Sequence, residues 1–342
     1  MRRPIPFLAA ALLALPLVAE GQEAPPGTPP ADLRAAPLTP IAVAAPAAVV
    51  AEAPASPRKH GIFPLWGDAV RAKGFDLPNP YSVMFNYYHQ SSELVINNLQ
   101  LGFNGGPKRN FDDIVHIPKA KATGSALSVR PAIMVLPFLS FYGVFSTGST
   151  QTDVSVSSPV IPQLAFDTTA KSGVTVVALG ATFQMGYKGF FGVADFNGAV
   201  SDVERLADVV GANMLSFRLG YSRKLNEDGS KLAGWAGTAG QVLQVKTEGS
   251  VRLQSVIPPL TGASCPAVPP SLNQRCQDLV NALNDPNATV EYSLDKKPKN
   301  VWNMLVGAQY ALDRNWAFRL EASFLGGRTS FFAGTAYEFD IL

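Results

Sequence analysis

Charged residues are scarce in this sequence. They make up 16% of the 342 residues, while hydrophobic residues reach 47%; an average soluble domain has roughly 25% charged residues. The formal net charge is only +2, so the composition predicts neither a nucleic-acid partner nor a polyanionic substrate. We therefore expect an apolar environment around part of the protein.

Long apolar runs are also missing beyond the N-terminus. The longest extends from Pro131 to Leu139, far below the roughly 20 residues that a helix needs to span a bilayer. An α-helical membrane protein is therefore excluded. If the chain enters a membrane, strands must cross it.

The N-terminus has the pattern of a secretory signal. Arg2 and Arg3 precede an apolar run, and small residues follow at a spacing that suits cleavage. We interpret residues 1–21 as a signal peptide and the Pro/Ala-rich residues 22–60 as a disordered periplasmic tether, because dense proline opposes helices and ladder strands. Residues 61–80 are a lead-in segment.

Cysteine and histidine are rare as well. Cys265 and Cys276 lie eleven positions apart, which in an exported chain predicts one disulfide, with metal binding as the rival interpretation. No Cys-x-x-Cys, HExxH, phosphate loop, EF-hand or dinucleotide fingerprint occurs. The sequence thus predicts no cofactor and no metal site, and we assign no catalytic residue.

What the sequence does contain is repeated alternation with a period of two. In the C-terminal stretch 331–341, one side is mainly apolar and aromatic, and the other carries glycine, alanine, phenylalanine and carboxylates. Similar segments recur from Tyr81 onward, with aromatic-rimmed apolar sides opposite small or polar sides. This recurrence is typical of transmembrane barrels, although a soluble β-sandwich remains the alternative.

We therefore predict an all-β fold: a transmembrane antiparallel up-and-down β-barrel spanning residues 81–342, with about ten strands. The predicted strands are 81–101, 125–135, 139–148, 173–186, 189–198, 211–224, 230–249, 300–312, 315–325 and 328–340. Splitting the first near Ser91 and Ser92, and adding one at Ile62 to Trp66, would give twelve. Pro131 conflicts with the second strand unless a bulge or a later start accommodates it.

The connections between these strands alternate in length. Short turns are predicted near residues 136–138, 187–189, 226–229 and 313–315, and long loops near 103–124, 149–172, 199–210 and 251–298. Short turns on one side and long loops on the other are typical of barrels in the outer membrane. Helix-like apolar spacing occurs within two long loops, in 201–210 and 273–284.

The last strand carries a further pattern. Gly334, Tyr337 and Phe339 follow the spacing Gly-x-x-Tyr-x-Phe, which resembles the C-terminal signal that Gram-negative outer-membrane proteins present to the barrel-assembly machinery. The sequence departs from this pattern by continuing through residues 340–342 and by having Phe332 at a commonly polar position. The resemblance implies a porin-like barrel in the cell outer membrane, with outer-membrane lipids and the assembly machinery as partners.

Charged residues on the predicted inner side are the main functional candidates: Arg130, Asp195, Arg218, Arg319, Glu321 and Glu338. Charged rings in a narrow lumen set which solutes pass, so we predict a narrow pore or an uptake protein for small solutes. The alternative is a lumen plugged by paired charges, in a structural or surface-interaction protein that acts through its long loops.

An enzymatic role is a third hypothesis. His89 and Ser91 share one side of a strand, and the pair resembles the His-x-Ser pair of lipid A deacylase barrels, which implies a lipid-modifying enzyme. The pair occurs in the first strand rather than near the chain's end, and an interfacial histidine beside Tyr87 and Tyr88 explains it equally. We therefore expect no enzyme activity.

Overall fold

The computed structural model describes residues 50–51, 61–203, 210–226, 230–243, 246–255, 257, 264–265 and 268–341. The predicted signal peptide and nearly all of the predicted tether lie outside these residues. Within the tether, Val50–Ala51 form a short strand, β1, which pairs with β2 (Phe75–Asp76). The expectation that the tether contains no ladder strand is therefore wrong at these two residues. Helix α1 (Gly67–Arg71) lies in the lead-in segment.

Ten long strands form a closed antiparallel barrel. They are β3 (Tyr81–Phe103), β5 (His116–Leu136), β6 (Leu139–Ser157), β7 (Phe166–Tyr187), β8 (Phe190–Val203), β9 (Val210–Lys224), β10 (Lys231–Leu243), β13 (Trp302–Ala311), β14 (Trp316–Phe324) and β15 (Arg328–Phe339). Each strand pairs with its predecessor in this series, and β3 pairs with both β5 and β15 to close the ring. The predicted ten-strand barrel is confirmed.

The twelve-strand alternative is wrong. Ser91 and Ser92 lie inside the continuous strand β3, and residues 62–66 form no strand. The first barrel strand is simply long: its 23 residues span the bilayer section and continue beyond it.

The strands have the two faces that the alternation predicted. In β15, Phe332 and Ala336 point inward and are buried, while Phe331 and Tyr337 point outward and are exposed. Exposed large apolar side chains recur on the outer faces of the barrel strands. An apolar outer band around a closed barrel is the architecture of outer-membrane β-barrels.

Aromatic residues border this band at the end of the barrel that has short turns. The ring of Trp316 lies 5.0 Å from that of Tyr337, and the ring of Phe339 lies 5.8 Å from that of Tyr81 and 5.9 Å from that of Tyr337. Amphipathic and aromatic side chains favour membrane interfaces. This girdle therefore marks one edge of the bilayer section.

The turns at this end are short, as predicted. Lys188 and Gly189 connect β7 to β8 with φ values of 48° and 85°, and two successive positive φ angles match the twist of a tight hairpin. Pro137 and Phe138 connect β5 to β6. Residues 227–229 of the predicted turn between β9 and β10 lie outside the described residues.

At the opposite end, the strands are longer and the loops shorter than predicted. Strand β5 starts at His116 rather than at residue 125, and β6 continues to Ser157 rather than ending at 148. The predicted loops 103–124 and 149–172 therefore consist partly of strand. In residues 149–157 the outward side is polar throughout, with serine, glutamine and aspartate, so it offers no apolar outer face from which a membrane strand could be recognised.

Pro131 does not interrupt β5. The ladder to β6 pairs Val129 with Phe145 and resumes at Ala132 with Tyr142 in the same register, so the expected bulge or later strand start is wrong. The side chain is exposed on the outer face. The missing amide hydrogen is accommodated by a local gap in one ladder.

Further elements lie above the barrel at the long-loop end: β4 (Arg109–Asn110), β11 (Lys246–Arg252), a 3-10 turn (Leu253–Ser255), α2 (Pro270–Asn284) and β12 (Thr289–Pro298). Strand β12 pairs with the upper part of β3 and with β11. The predicted strand 230–249 is thus divided into β10 and β11, and the predicted loop 251–298 contains a strand.

Of the two predicted helices, one is confirmed. Helix α2 contains residues 273–284 and begins with Pro270 at a position where its missing amide hydrogen costs nothing. The other prediction, 201–210, is wrong where it can be compared, because residues 201–203 belong to β8 and Val210 begins β9. Residues 204–209 lie outside the described residues. No helix in the described part of the chain is long and apolar enough to cross a membrane.

Candidate functional site

The middle of the barrel contains three charged side chains from two strands. Arg218 on β9 donates from Nε to Glu321 Oε2 at 2.9 Å and from Nη2 to Oε1 at 3.2 Å. Arg319, two positions from Glu321 on β14, donates to the same Oε2 at 2.8 Å. One carboxylate is therefore shared by two guanidinium groups that are buried with it.

Aromatic side chains complete this middle layer. Trp235 Nε1 donates to Glu321 Oε2 at 2.8 Å, and the guanidinium of Arg319 lies 4.7 Å from the centre of the indole ring. A Cβ at Gly307 would lie 2.5 Å from this ring, so glycine is needed there for the indole to occupy the lumen. Cation–π contacts stabilise a guanidinium that has left water.

A second charged layer lies nearer the short-turn end. The guanidinium of Arg130 stacks 3.7 Å from the ring centre of Tyr142. The Tyr142 hydroxyl donates to Asp195 Oδ1 at 2.9 Å, and Thr182 donates to Oδ2 at 2.7 Å. Tyr142 of β6 thus connects Arg130 of β5 to Asp195 of β8, across four adjacent strands.

A third layer lies nearer the long-loop end, and its residues were not among the predicted site residues. Arg328 donates to Gln241 Oε1, Asn303 Oδ1 and the carbonyl of Ala239, and Gln90 also bonds to Gln241. The alternation of β15 contains the signal that identifies it, since Arg328 has the same parity as the inward Phe332.

Glu338, the last predicted lumen residue, lies apart from these layers. It is half-buried at the short-turn end and lines a small cavity of about 60 Å³ together with Arg130. The structure therefore places all six predicted residues on the inner side but assigns Glu338 to the opening rather than to the charged layers.

The three layers fill the lumen. Arg218, Arg319, Asp195, Gln90 and Gln241 are each about 1% exposed. Among the residues that the structure describes, the buried charges comprise four arginines and two carboxylates, which leaves two positive charges in excess. Small barrels are filled by side chains in this way, so the described conformation closes the lumen with an arginine-rich plug.

Above the plug, the long-loop end encloses an apolar cavity of about 140 Å³, here named the upper chamber. The upper parts of β3, β6, β7 and β12 form its walls, and α2 and the 3-10 turn contribute Leu279 and Leu253. Eleven of its lining residues are Ile96, Leu99, Leu101, Val115, Ile117, Val154, Val156, Leu164, Phe166, Val290 and Leu294.

Lys296 of β12 is the single charged residue among the described residues that line the upper chamber. It is half-buried, and its apolar surroundings lower the pKa of its ammonium group to about 8. Strand pairing places it opposite Ile96 of β3, toward the plug, whereas Val290 pairs higher, with Phe103. Sequence reasoning missed this lysine because it assigned the whole segment to a loop.

The predicted disulfide is confirmed: Cys265 is bonded to Cys276. Cys276 lies on the buried side of α2 with Leu279 and Leu283. The crosslink therefore attaches the segment before α2 to the helix that covers the upper chamber.

The structure does not pair His89 with Ser91. The His89 Nδ1 atom lies 2.8 Å from the hydroxyl of Ser125, directly across the strand pair, and Ser91 instead accepts a long hydrogen bond from Thr123. His89 and Ser91 lie on the same side of β3, as their spacing predicted, and this side is the outer face.

Gly334, Tyr337 and Phe339 lie on the last barrel strand, where Gly334 pairs with Asn86 of β3. A Cβ at Gly334 would lie 2.4 Å from the side-chain oxygen of Asn86. The predicted assembly pattern thus occupies the seam at which the barrel closes.

Comparisons with known proteins identify no family. No family model matches the sequence, and no curated protein matches it. Among solved structures, similar chains include the β domain of the Bordetella autotransporter BrkA (TM-score 0.36, 12% identity, covering 77% of this chain and 100% of that one). The outer-membrane protein OprG of Pseudomonas aeruginosa has a TM-score of 0.36 and 11% identity, covering 78% of this chain and 98% of that one. A FadL homologue of P. aeruginosa has a TM-score of 0.26 and 8% identity, covering 76% of this chain and 90% of that one. At these scores the likenesses transfer no function.

Proposed function

We propose that this protein resides in the outer membrane of a Gram-negative cell and takes up small solutes from outside. Its exposed apolar band suits a lipid environment, and the predicted signal peptide suits export. The observation that carries the uptake proposal is the upper chamber, which lies directly above the plug and gives an incoming solute a place to bind.

The plug sets the selectivity in this proposal. Two excess positive charges in a low-dielectric lumen favour anions over cations. Passage requires the shared Glu321 to loosen from at least one guanidinium, because the paired side chains fill the lumen. The pore is therefore closed at rest and opens transiently.

Reconstitution in lipid vesicles tests this proposal. We expect vesicles containing the folded protein to release labelled acetate faster than labelled methylamine, and planar bilayers to show brief anion-selective openings. Vesicles with heat-unfolded protein are the control. Folded protein that releases neither solute and passes no current would contradict uptake through the lumen.

A plugged structural or surface-interaction barrel is the second candidate. The bidentate pairing of Arg218 with Glu321 favours it, because a buried, doubly hydrogen-bonded ion pair resists displacement. Such a protein would act through the structures at its long-loop end. In the reconstitution experiment it would release neither solute and pass no current.

We propose no catalytic role for His89 and Ser91. The His89 imidazole bonds to Ser125 instead, and the Ser91 hydroxyl, which a histidine would have to activate in such a pair, accepts a hydrogen bond from Thr123. Incubation of the protein with lipid A, followed by mass spectrometry, should show unchanged acylation. Acyl loss that disappears in the Ser91→Ala variant would contradict this proposal.

A further inference from the structure

The upper chamber combines an apolar body with one cationic edge. Its volume of about 140 Å³ is close to that of an engineered apolar protein cavity, of roughly 150 Å³, that stays dry and binds benzene. The chamber therefore has room for one aromatic ring or a short aliphatic chain.

The charge at its edge has no counter-ion in the described part of the chain. Among these residues, no ion pair or hydrogen bond of the Lys296 ammonium group occurs, and the lysine shares the chamber with apolar side chains, two threonines and Tyr292. Its sequence neighbours Asp295 and Lys297 have the opposite parity on β12 and do not line the chamber. An ammonium group in such surroundings gains most from an anion that arrives with its own apolar body.

Lys296 also lies on the plug side of the chamber. Lys296 pairs with Ile96 of β3. Ser92, four positions earlier in β3, pairs with Arg328, which belongs to the uppermost plug layer. An anion held by Lys296 is thus placed next to the arginine-rich lumen, with its apolar part directed toward α2.

We propose that the upper chamber is a binding site for small amphipathic carboxylates of about the size of benzoate, with the ring among the apolar side chains and the carboxylate on Lys296. This inference rests on the proposed uptake function and names its substrate class. Burial of the ring supplies affinity, and the lysine selects the anion over a neutral molecule of the same shape.

Binding of 4-fluorobenzoate and 4-fluorotoluene to the protein in lipid nanodiscs tests the proposal, with fluorine NMR as the measurement and empty nanodiscs as the background. We expect Lys296→Met to weaken fluorobenzoate binding by about tenfold or more, because one charge-assisted hydrogen bond is lost. Fluorotoluene binding should stay within a factor of about two, since methionine keeps the apolar lining.

Two further variants make the result specific. Lys297→Met removes a neighbouring charge that does not line the chamber, and it should leave both affinities unchanged. Val154→Phe fills the chamber and should weaken both ligands, provided that the variant still shows the gel migration of a folded barrel. Fluorobenzoate binding that is equal in wild type and Lys296→Met, or that survives Val154→Phe, would overturn the proposal.

The uptake function can fail separately. If fluorobenzoate binds through Lys296 but vesicles containing the protein remain impermeable to it, the binding site is supported and the proposed transport is contradicted. If labelled acetate crosses the vesicle membrane but fluorobenzoate binding is the same with and without Lys296, the uptake function is supported and the assigned substrate class is wrong.

Discussion

Glu321 accepts hydrogen bonds from Nε and Nη2 of Arg218, through both of its carboxylate oxygens. Because Arg319 bonds to the same carboxylate, one glutamate is the ion-pair partner of two buried cations. The charge balance at the centre of the lumen therefore depends on a single side chain.

Glu321→Gln is expected to destabilise the barrel more than Arg319→Ala. The first change leaves two guanidinium groups without their counter-ion and should cost about 3 kcal/mol or more, whereas the second leaves Glu321 with both hydrogen bonds from Arg218. Urea unfolding in lipid vesicles measures the difference. Glu291→Gln, on the outward side of β12, is the matched control, and an equal loss in the two lumen variants would contradict the shared-carboxylate interpretation.

Arg319→Ala should also change what passes if the lumen conducts. Loss of one of the excess positive charges is expected to reduce the preference for anions and to lengthen the openings, because side-chain volume leaves the plug. Reversal potentials under a salt gradient measure the preference. If the variant is destabilised and neither the variant nor the wild type passes current, the plugged-barrel candidate is favoured.

Binding of 4-fluorobenzoate should weaken as the pH rises from 7 to about 9.5. The apolar surroundings of Lys296 lower its pKa to about 8, so its ammonium form is lost across this interval, while the ligand's carboxylate stays ionised. Tyr292, the other titratable lining residue, has its pKa raised to about 12 by burial and stays neutral. Fluorotoluene should show no such dependence, and a parallel loss of both ligands would indicate a general opening of the chamber.

The disulfide should stabilise the cover of the chamber rather than the barrel. Replacing Cys265 and Cys276 by serine is expected to cost about 2–3 kcal/mol in the local unfolding of α2, since the crosslink restricts the unfolded loop. Limited proteolysis should cut near α2 faster, while boiling is still required to shift the gel migration of the barrel. Unchanged cleavage in the double variant would show that packing of Leu279 and Leu283 is sufficient.

The lipid-facing band gives a test of the membrane assignment. Leu219 is 75% exposed between Phe217 and Tyr221 on the outer face of β9, and Leu219→Arg should destabilise the protein in lipid by about 2–4 kcal/mol. Glu291→Arg, above the band, should have little effect. Equal behaviour of the two variants in vesicles would contradict burial of Leu219 in acyl chains.

The last strand allows a test of the proposed contact with the assembly machinery. Phe339→Ala is expected to lower the amount of folded barrel in cells more than Phe331→Ala, which lies on the same outer face but outside the Gly-x-x-Tyr-x-Phe pattern. Both variants should refold from urea into vesicles with similar stability. A deficit that appears equally in refolding would assign the effect to the aromatic girdle, where Phe339 stacks on Tyr81 and Tyr337.

The alternation of side chains determined the barrel, its ten strands and the inward position of the charges. Along a strand, successive residues point to opposite sides, so the parity of Arg218, Arg319 and Glu321 could be obtained from the sequence without knowing which strands are neighbours. The disulfide followed from cysteine count and export. Helix α2 followed from the spacing of Leu279, Val280 and Leu283.

Only the tertiary structure decided which charges meet. Glu321 and Arg218 are 103 positions apart, and their contact depends on the closure of the ring and on room created by Gly307.

The upper chamber could not be predicted from the sequence for a different reason. Its strands carry polar residues on the outer side, where water rather than lipid surrounds them, so the apolar outer face that identifies a membrane strand is absent. Lys296 acquires its position from the pairing of β12 with β3, a long-range contact that local periodicity does not encode.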